Sequence, residues 1–437
     1  MPPERDRPET EAYAGGYRGL SHGVTLPDDR PIAERGRGCY VESESGDTYV
    51  DYMLGSGAVI CGHAHPRVRE AIERQAAKGS SFILPAEATI ELSERLADAV
   101  PCADRVIFTC TGSQAVYYAL RLARSHTGKA GILKFEGAYH GYHDEMLVST
   151  SWGARDELRD VELPDGTVDS GGVLADTADH TLVSAFNDLD RTAEIVAEHA
   201  DDLAAVIVEP VHRSLPPEDG FLQGVRDLCD EHGVVLIFDE VVTGFRLAWG
   251  GAQERFGVQP DLATYGKTMT GGTPIGAVCG DEELMRLADP GVSHRDGGCL
   301  VGSTMNGNPL CAAAANATLD VLERDGTYEH LDAYADEFRG FVTDLLEDEG
   351  LPVTPLGEGA IVDYAIREGD APTDWRSTLQ SDADLKRAIE REVVDQGVLV
   401  FAGSKKYVSL AHDDEALERT REAYRAAVER IDLGDPD

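Results

Sequence analysis

Lys267 stands in the segment Ala263-Thr264-Tyr265-Gly266-Lys267-Thr268-Met269, with Gly271-Gly272-Thr273-Pro274-Ile275-Gly276 just behind it. Upstream, the apolar run Val235-Leu236-Ile237-Phe238 closes on Asp239. A lone lysine in a Gly-rich turn offers an amine for a Schiff base. A carboxylate at the end of a buried run can keep a pyridine nitrogen protonated. Those are the two groups that a pyridoxal 5'-phosphate (PLP) site requires. Lysine is scarce in this chain: Lys78, Lys129, Lys134, Lys267, Lys386, Lys405 and Lys406 make up seven of 39 basic residues. A lysine kept in such a context therefore calls for a chemical reason.

Other segments supply compatible chemistry. Cys110-Thr111-Gly112-Ser113-Gln114-Ala115 follows a strand pattern and opens a helix pattern, and Thr111 and Gln114 have capping-box spacing. Free N–H groups at a helix start, with Gly112 and the Ser113 hydroxyl, suit a phosphate; plain helix capping is the simpler alternative. In Lys134-Phe135-Glu136-Gly137-Ala138-Tyr139-His140-Gly141-Tyr142-His143, Tyr139 can stack on a flat ring. His140 and His143 lack a third ligand nearby, so no metal is expected. Glu209 and Asp239 each end an apolar strand pattern, where open α/β sheets face their ligand crevice. Asp239 could instead cap a helix or pair with Arg246. Gly302-Ser303-Thr304-Met305-Asn306-Gly307-Asn308-Pro309 reads as a turn and cap cluster, or as a second phosphate contact.

The elements that must position these residues alternate. Strands are expected at 106–108, 132–135, 181–185, 204–208 and 234–238, with helices at 68–77, 113–125, 190–199 and 222–232. This alternation predicts an α/β fold, a mostly parallel sheet with helices on both faces. Residues 39–51 predict a hairpin turning at Gly46-Asp47, preceded by an irregular arm over 1–38. Residues 151–180 break the pattern and predict a long functional loop. Beyond a helix at 312–324, a strand at 360–365, a helix at 384–396, a strand at 398–401 and a helix at 415–431 predict a smaller α+β domain. The resulting division is 1–60 as an arm and hairpin joining the small domain, 61–310 as the large domain, and 311–437 as the small domain.

The 437 residues include 80 acidic against 39 basic, a formal charge of −41. Nucleic acid and anionic membrane would be repelled by this charge. Asp and Glu are spread along the chain rather than in blocks, which predicts a folded protein with an acidic surface, as in organisms with salt-rich cytoplasm. The eight cysteines contain no Cys-x-x-Cys pair and are expected to be reduced thiols. The polar, Pro-rich start and the lack of a long apolar run predict a cytoplasmic protein.

Together, Phe238-Asp239-Glu240-Val241-Val242-Thr243-Gly244-Phe245-Arg246, Gly266-Lys267 and Ser303-Thr304-Met305-Asn306-Gly307-Asn308-Pro309 resemble the class III, PLP-dependent aminotransferases of fold type I. The glutamate-1-semialdehyde 2,1-aminomutase branch is the nearest match, and the resemblance runs from Gly62-His63-Ala64-His65-Pro66 to Val408-Ser409-Leu410-Ala411-His412. It implies that Lys267 forms the Schiff base and that Asp239 pairs with the pyridinium nitrogen. Val241 and Tyr139 would pack on the two ring faces. Asn187 would bond the ring hydroxyl, with Glu209 supporting that side, and Gly112 and Ser113 would hold the phosphate. Thr304 would reach the phosphate of a neighbouring subunit, implying a homodimer.

Departures fall mainly at substrate-facing positions. Gly55-Ser56-Gly57-Ala58 replaces a Ser-Trp-Gly-Pro run. Cys110-Thr111-Gly112-Ser113-Gln114 replaces Asn-Ser-Gly-Thr-Glu. Ser21-His22-Gly23-Val24-Thr25-Leu26-Pro27 stands for Asn-Ser-Pro-Val-Arg. A late loop that contributes a glutamate in that branch reads Phe401-Ala402-Gly403-Ser404-Lys405-Lys406. The chemistry expected is therefore amino-group transfer on an amino acid or amine. Aminomutase, racemase and PLP-binding without turnover are the alternatives. Arg30, Arg213 and Arg246 are candidates for a substrate carboxylate.

Overall fold

The structure, a computed structural model, describes residues 31–150 and 163–431. Its centre is a seven-stranded sheet. In spatial order the strands are Arg105–Thr109, Gly276–Gly280, Leu262–Tyr265, Val235–Asp239, Leu203–Val208, Gly131–Phe135 and Thr181–Ser184. Gly276–Gly280 is antiparallel to both neighbours, and the remaining pairs are parallel. Two antiparallel steps restore direction, so Arg105–Thr109 points the same way as the strands beyond. The inner strands Leu203–Val208 and Val235–Asp239 are buried along their whole length. Coverage on both faces is why their sequences are unbroken apolar runs rather than alternating ones.

Helices Gly112–Thr127, Leu189–His199 and Phe221–His232 turn apolar stripes to the sheet. Three further elements extend the expected pattern: the helix Glu87–Ala99, the strand Leu262–Tyr265, and the strand Gly276–Gly280 wedged between Arg105–Thr109 and Leu262–Tyr265. The long helices Pro309–Leu322 and Thr327–Asp348 follow.

The hairpin forms as Tyr40–Ser43 and Thr48–Asp51, with Gly46 at φ 90° in the turn. Here the expected irregular arm needs correction. Ala33–Arg37 is a strand paired antiparallel with Tyr40–Ser43. Thr48–Asp51 pairs in parallel with Val398–Leu399, so the amino-terminal hairpin is stitched to the carboxyl-terminal region. That last strand is shorter than the expected 398–401. A third sheet joins Val353–Leu356, Ile361–Ile366 and Lys406–Tyr407. Of the expected 151–180 loop, 163–180 contains a bridge from Val148 to Val168 and a short helix, Ala175–Ala178. Residues 151–162, like Arg30 and 21–27, lie outside the described residues. All eight cysteines are free thiols.

Candidate active site

Parallel strands deliver their carboxyl ends to one edge of the sheet, and the sequence loads that edge. Leu203–Val208 ends at Glu209, Val235–Asp239 at Asp239 itself, and Leu262–Tyr265 at Gly266-Lys267. Gly131–Phe135 leads to Tyr139 and His140, and Arg105–Thr109 leads to the helix that begins at Gly112. The loops enclose a cavity of about 590 Å³. Gly112, Ser113, Tyr139, Glu209, Asp239, Val241 and Lys267 all line it.

Each group is prepared by its surroundings. Asp239 is 5% exposed. Its Oδ2 meets His140 Nδ1 at 2.7 Å, and its Oδ1 accepts from the Val241 N–H (3.1 Å) and the Thr264 hydroxyl (3.2 Å). Thr264 is its partner across the sheet, so strand register supplies that bond. The next residue, Glu240, is buried and braces the following turn. It accepts from Ala252 N–H at 2.7 Å, Gln253 Nε2 at 3.1 Å and Thr243 Oγ1 at 3.1 Å. Burial pushes its carboxyl up to about 6 against those donors.

Lys267 has φ 34°, a sparsely populated backbone region that the flanking Gly-rich turn sustains. Burial draws its amine below the usual lysine range, with Asp239 and Glu209 pulling partly the other way. A less basic lysine is a better nucleophile at neutral pH. Burial pushes Glu209 up, but Arg213, Lys405, His212 and His140 outweigh this, and its carboxyl sits below its ordinary value.

At the helix start, Thr111 Oγ1 accepts from the Gln114 N–H at 3.2 Å. The Gln114 side chain bonds the Cys110 N–H at 2.9 Å, one residue beyond the capping-box target. The first N–H groups of a helix have no partner within it. With Gln114 N–H taken, those of Gly112 and Ser113 remain for an anion. A Cβ on Gly112 would lie 2.8 Å from Val241 Cγ2, so only glycine lets the helix start come this close to Val241. A buried carboxylate, an amine of lowered basicity and a helix start with N–H groups to spare thus share one cavity. That donor set fits PLP.

The other sequence candidates lie elsewhere. Asn187 is not among the residues that line the cavity. Its amide donates to the carbonyls of Pro216 (3.2 Å) and Thr373 (3.0 Å) and accepts from Glu218 N–H (2.9 Å). Thr304 is exposed and away from the cavity of its own chain. Arg246 is fully buried behind the cavity. It bonds Gly57 O, Val242 O (2.9 Å) and Thr268 Oγ1 (2.8 Å), and it stacks over Tyr407 at 4.8 Å. It therefore braces loops rather than facing a substrate, and it does not pair with Asp239. Arg213 does line the cavity. His143 pairs with Glu145 at 3.3 Å. Sequence reasoning missed the pairing of His140 with Asp239 and the presence of Ser56 and Lys405 in the cavity wall.

Comparison with known proteins gives the family. Residues 27–430 match the aminotransferase class-III family. The glutamate-1-semialdehyde 2,1-aminomutase of Citrifermentans bemidjiense is 37% identical over 424 residues, covering 94% of this chain and 96% of that protein. Among solved structures, an omega-transaminase from Sphaerobacter thermophilus superposes with a TM-score of 0.84 at 32% identity, covering 91% of each chain. A transaminase with PLP bound gives 0.82 at 28% identity, over 91% of this chain and 90% of the other. The chain belongs to the class-III aminotransferase family and is a PLP-dependent enzyme of fold type I.

Proposed function

We propose that this enzyme moves an amino group from an amino acid or amine to a carbonyl acceptor, using Lys267 as the proton carrier. The observation that carries the reading is the meeting of Lys267, Asp239 and the Gly112 helix start in one cavity. Gly112 and Ser113 hold the cofactor phosphate, Asp239 its ring nitrogen, and Tyr139 and Val241 its two faces. PLP, when bound, supplies a protonated ring that accepts the electron pair left when the substrate α-hydrogen departs. Asp239 holds that ring proton, and His140 holds Asp239 in place. Lys267 would hold the cofactor through its amine, and that amine, when free, is the base placed to take the proton from the substrate α-carbon and to give it back.

Aminomutase action on glutamate 1-semialdehyde is the second reading, supported by the name of the 37% identical relative. A donor–acceptor screen separates the two. Amino donors should bleach the visible band of the lysine-bound cofactor, and a keto acid should restore it. Turnover of glutamate semialdehyde with no acceptor would favour the mutase. No spectral change with any donor would sink amino transfer and leave a cofactor-binding protein.

We further propose a homodimer in which Thr304 reaches the partner's site. The support is an exposed apolar surface near Thr304, with Leu300 86%, Ile83 97% and Leu84 77% exposed. Asn308 ties the two stretches together through the Ser80 carbonyl at 2.8 Å. In the same reading, 61–310 is the cofactor domain, with 1–60 and 311–437 forming the small one. Among the described residues no helix is long and apolar enough to cross a membrane.

A further inference from the structure

Lys405 and Lys406 are sequence neighbours with opposite surroundings. Lys406 turns to Glu390 and to Asp363 (3.3 Å), and Lys386 also bonds Asp363 at 2.6 Å. That inner cluster matches two lysines with two carboxylates. Lys405 turns the other way and lines the cavity that contains Lys267. It is 6% exposed. Its ammonium donates to the Arg213 carbonyl at 2.6 Å and sits 5.8 Å from the centre of the Tyr407 ring. Among the described residues no carboxylate lies within ion-pair distance of it. An ammonium has three donors, so two remain unused.

The Arg213 side chain lines the same cavity and has no hydrogen-bond or ion-pair partner among the described residues. A second cavity of about 240 Å³ adjoins the first and shares Arg213, Ser404 and Lys405 with it. Both cations therefore stand at the junction. Glu209 in the same cavity opposes their charge from beyond ion-pair distance, and burying a cation such as Lys405 without a direct ion-pair partner is costly. This happens in a chain whose acidic residues outnumber basic ones 80 to 39, where a carboxylate partner would be easy to supply.

We propose that Lys405 and Arg213 form a receptor for a carboxylate of the substrate, so that the amines accepted by this enzyme carry a carboxylate reaching the junction of the two cavities. The proposal rests on reading the cavity as the amine-handling site. Lys405 sets specificity here; Lys267 does the chemistry. A planar carboxylate can take both Arg213 and the two free donors of Lys405.

The pairing carries a proton linkage. The charged and titratable groups facing Lys405 are Arg213 and Glu209 from the loop after Leu203–Val208, Lys267 from its turn, Arg246 behind the wall, and Tyr407. Burial, then Arg213, brings the Lys405 amine down to about 7, with Glu209 opposing and Lys267 and Arg246 adding. Lys405 is charged below that pH and neutral above it. Anion binding is therefore strongest on the acid side and weakens as pH rises through it.

Succinate binding to the holoenzyme, measured by calorimetry below and above pH 7, tests this. The wild type should bind more weakly on the alkaline side. Lys405→Met should weaken acid-side binding roughly ten- to hundredfold and abolish the pH dependence. Lys405→Arg should keep the binding but lose the pH dependence, which guards against a folding defect in the Met variant. Binding by Lys405→Met equal to wild type at both pH values would overturn the proposal, as would a pH dependence that survives in Lys405→Arg. If no donor is turned over while succinate binding still follows Lys405, amino transfer fails and the anion receptor stands.

Discussion

At the scale of residues, Asp239 is held by three donors, and His140 is the one farthest from it in sequence. The two are 99 positions apart in sequence. An imidazole at 2.7 Å fixes the carboxylate orientation and tunes how tightly it holds a ring proton. His140→Ala should lower kcat by roughly ten- to hundredfold, the value of one charge-assisted hydrogen bond. It should also shift the pH at which the bound cofactor's visible spectrum titrates. Asn, which keeps a donor, should restore part of both effects. An unchanged kcat and midpoint in His140→Ala would remove His140 from the account. Lys267 and Asp239 were legible in the sequence because each carries its context with it: a Gly-rich turn in one case, the end of an apolar run in the other. The role of His140 was not, since two histidines three apart say nothing about a partner on another strand. The partners of Asn187 were equally illegible, since they come from other segments.

Among the elements, the helix start at Gly112 is the most constrained. A Cβ there would press on both Val241 methyls, at 2.8 and 2.9 Å. Val241 belongs to the Asp239 segment, whose backbone is held by Glu240, so it cannot yield freely. Gly112→Ala should weaken PLP affinity, read by titrating cofactor into the apoenzyme. Adding Val241→Ala should recover part of the loss, with a coupling of about 0.5–3 kcal/mol. Strictly additive losses would mean that the close approach is unimportant. Helices such as Phe221–His232 and strands such as Leu203–Val208 were readable because their apolar period or run is long. Leu262–Tyr265 and Gly276–Gly280 are four and five residues of mostly small side chains, too short to show a period. Their pairing comes from the sheet, not from propensity. Glu87–Ala99 does carry a helical stripe, at Leu92, Leu96 and Ala99, and was readable in principle. Ala33–Arg37 is exposed and charged, and it becomes a strand only because the hairpin offers an edge.

On the scale of the whole molecule, a formal charge of −41 opposes compaction and subunit contact alike. At about 1 M salt the screening length falls to roughly 3 Å, and most of that repulsion disappears. Sedimentation and activity across a KCl series should show an active species of twice the chain mass in high salt, with both lost at low salt. Full activity of a dimer in low salt would contradict the salt-adapted reading, and an active monomer would contradict the shared site. The central claim is narrower than either, since it places all of the chemistry on one amine at the carboxyl end of the sheet. Lys267→Ala, loaded with PLP, tests it directly. The visible band of lysine-bound cofactor and all turnover should vanish while the fold, followed by circular dichroism, persists. Retention of that band or of turnover would show that another amine does the work.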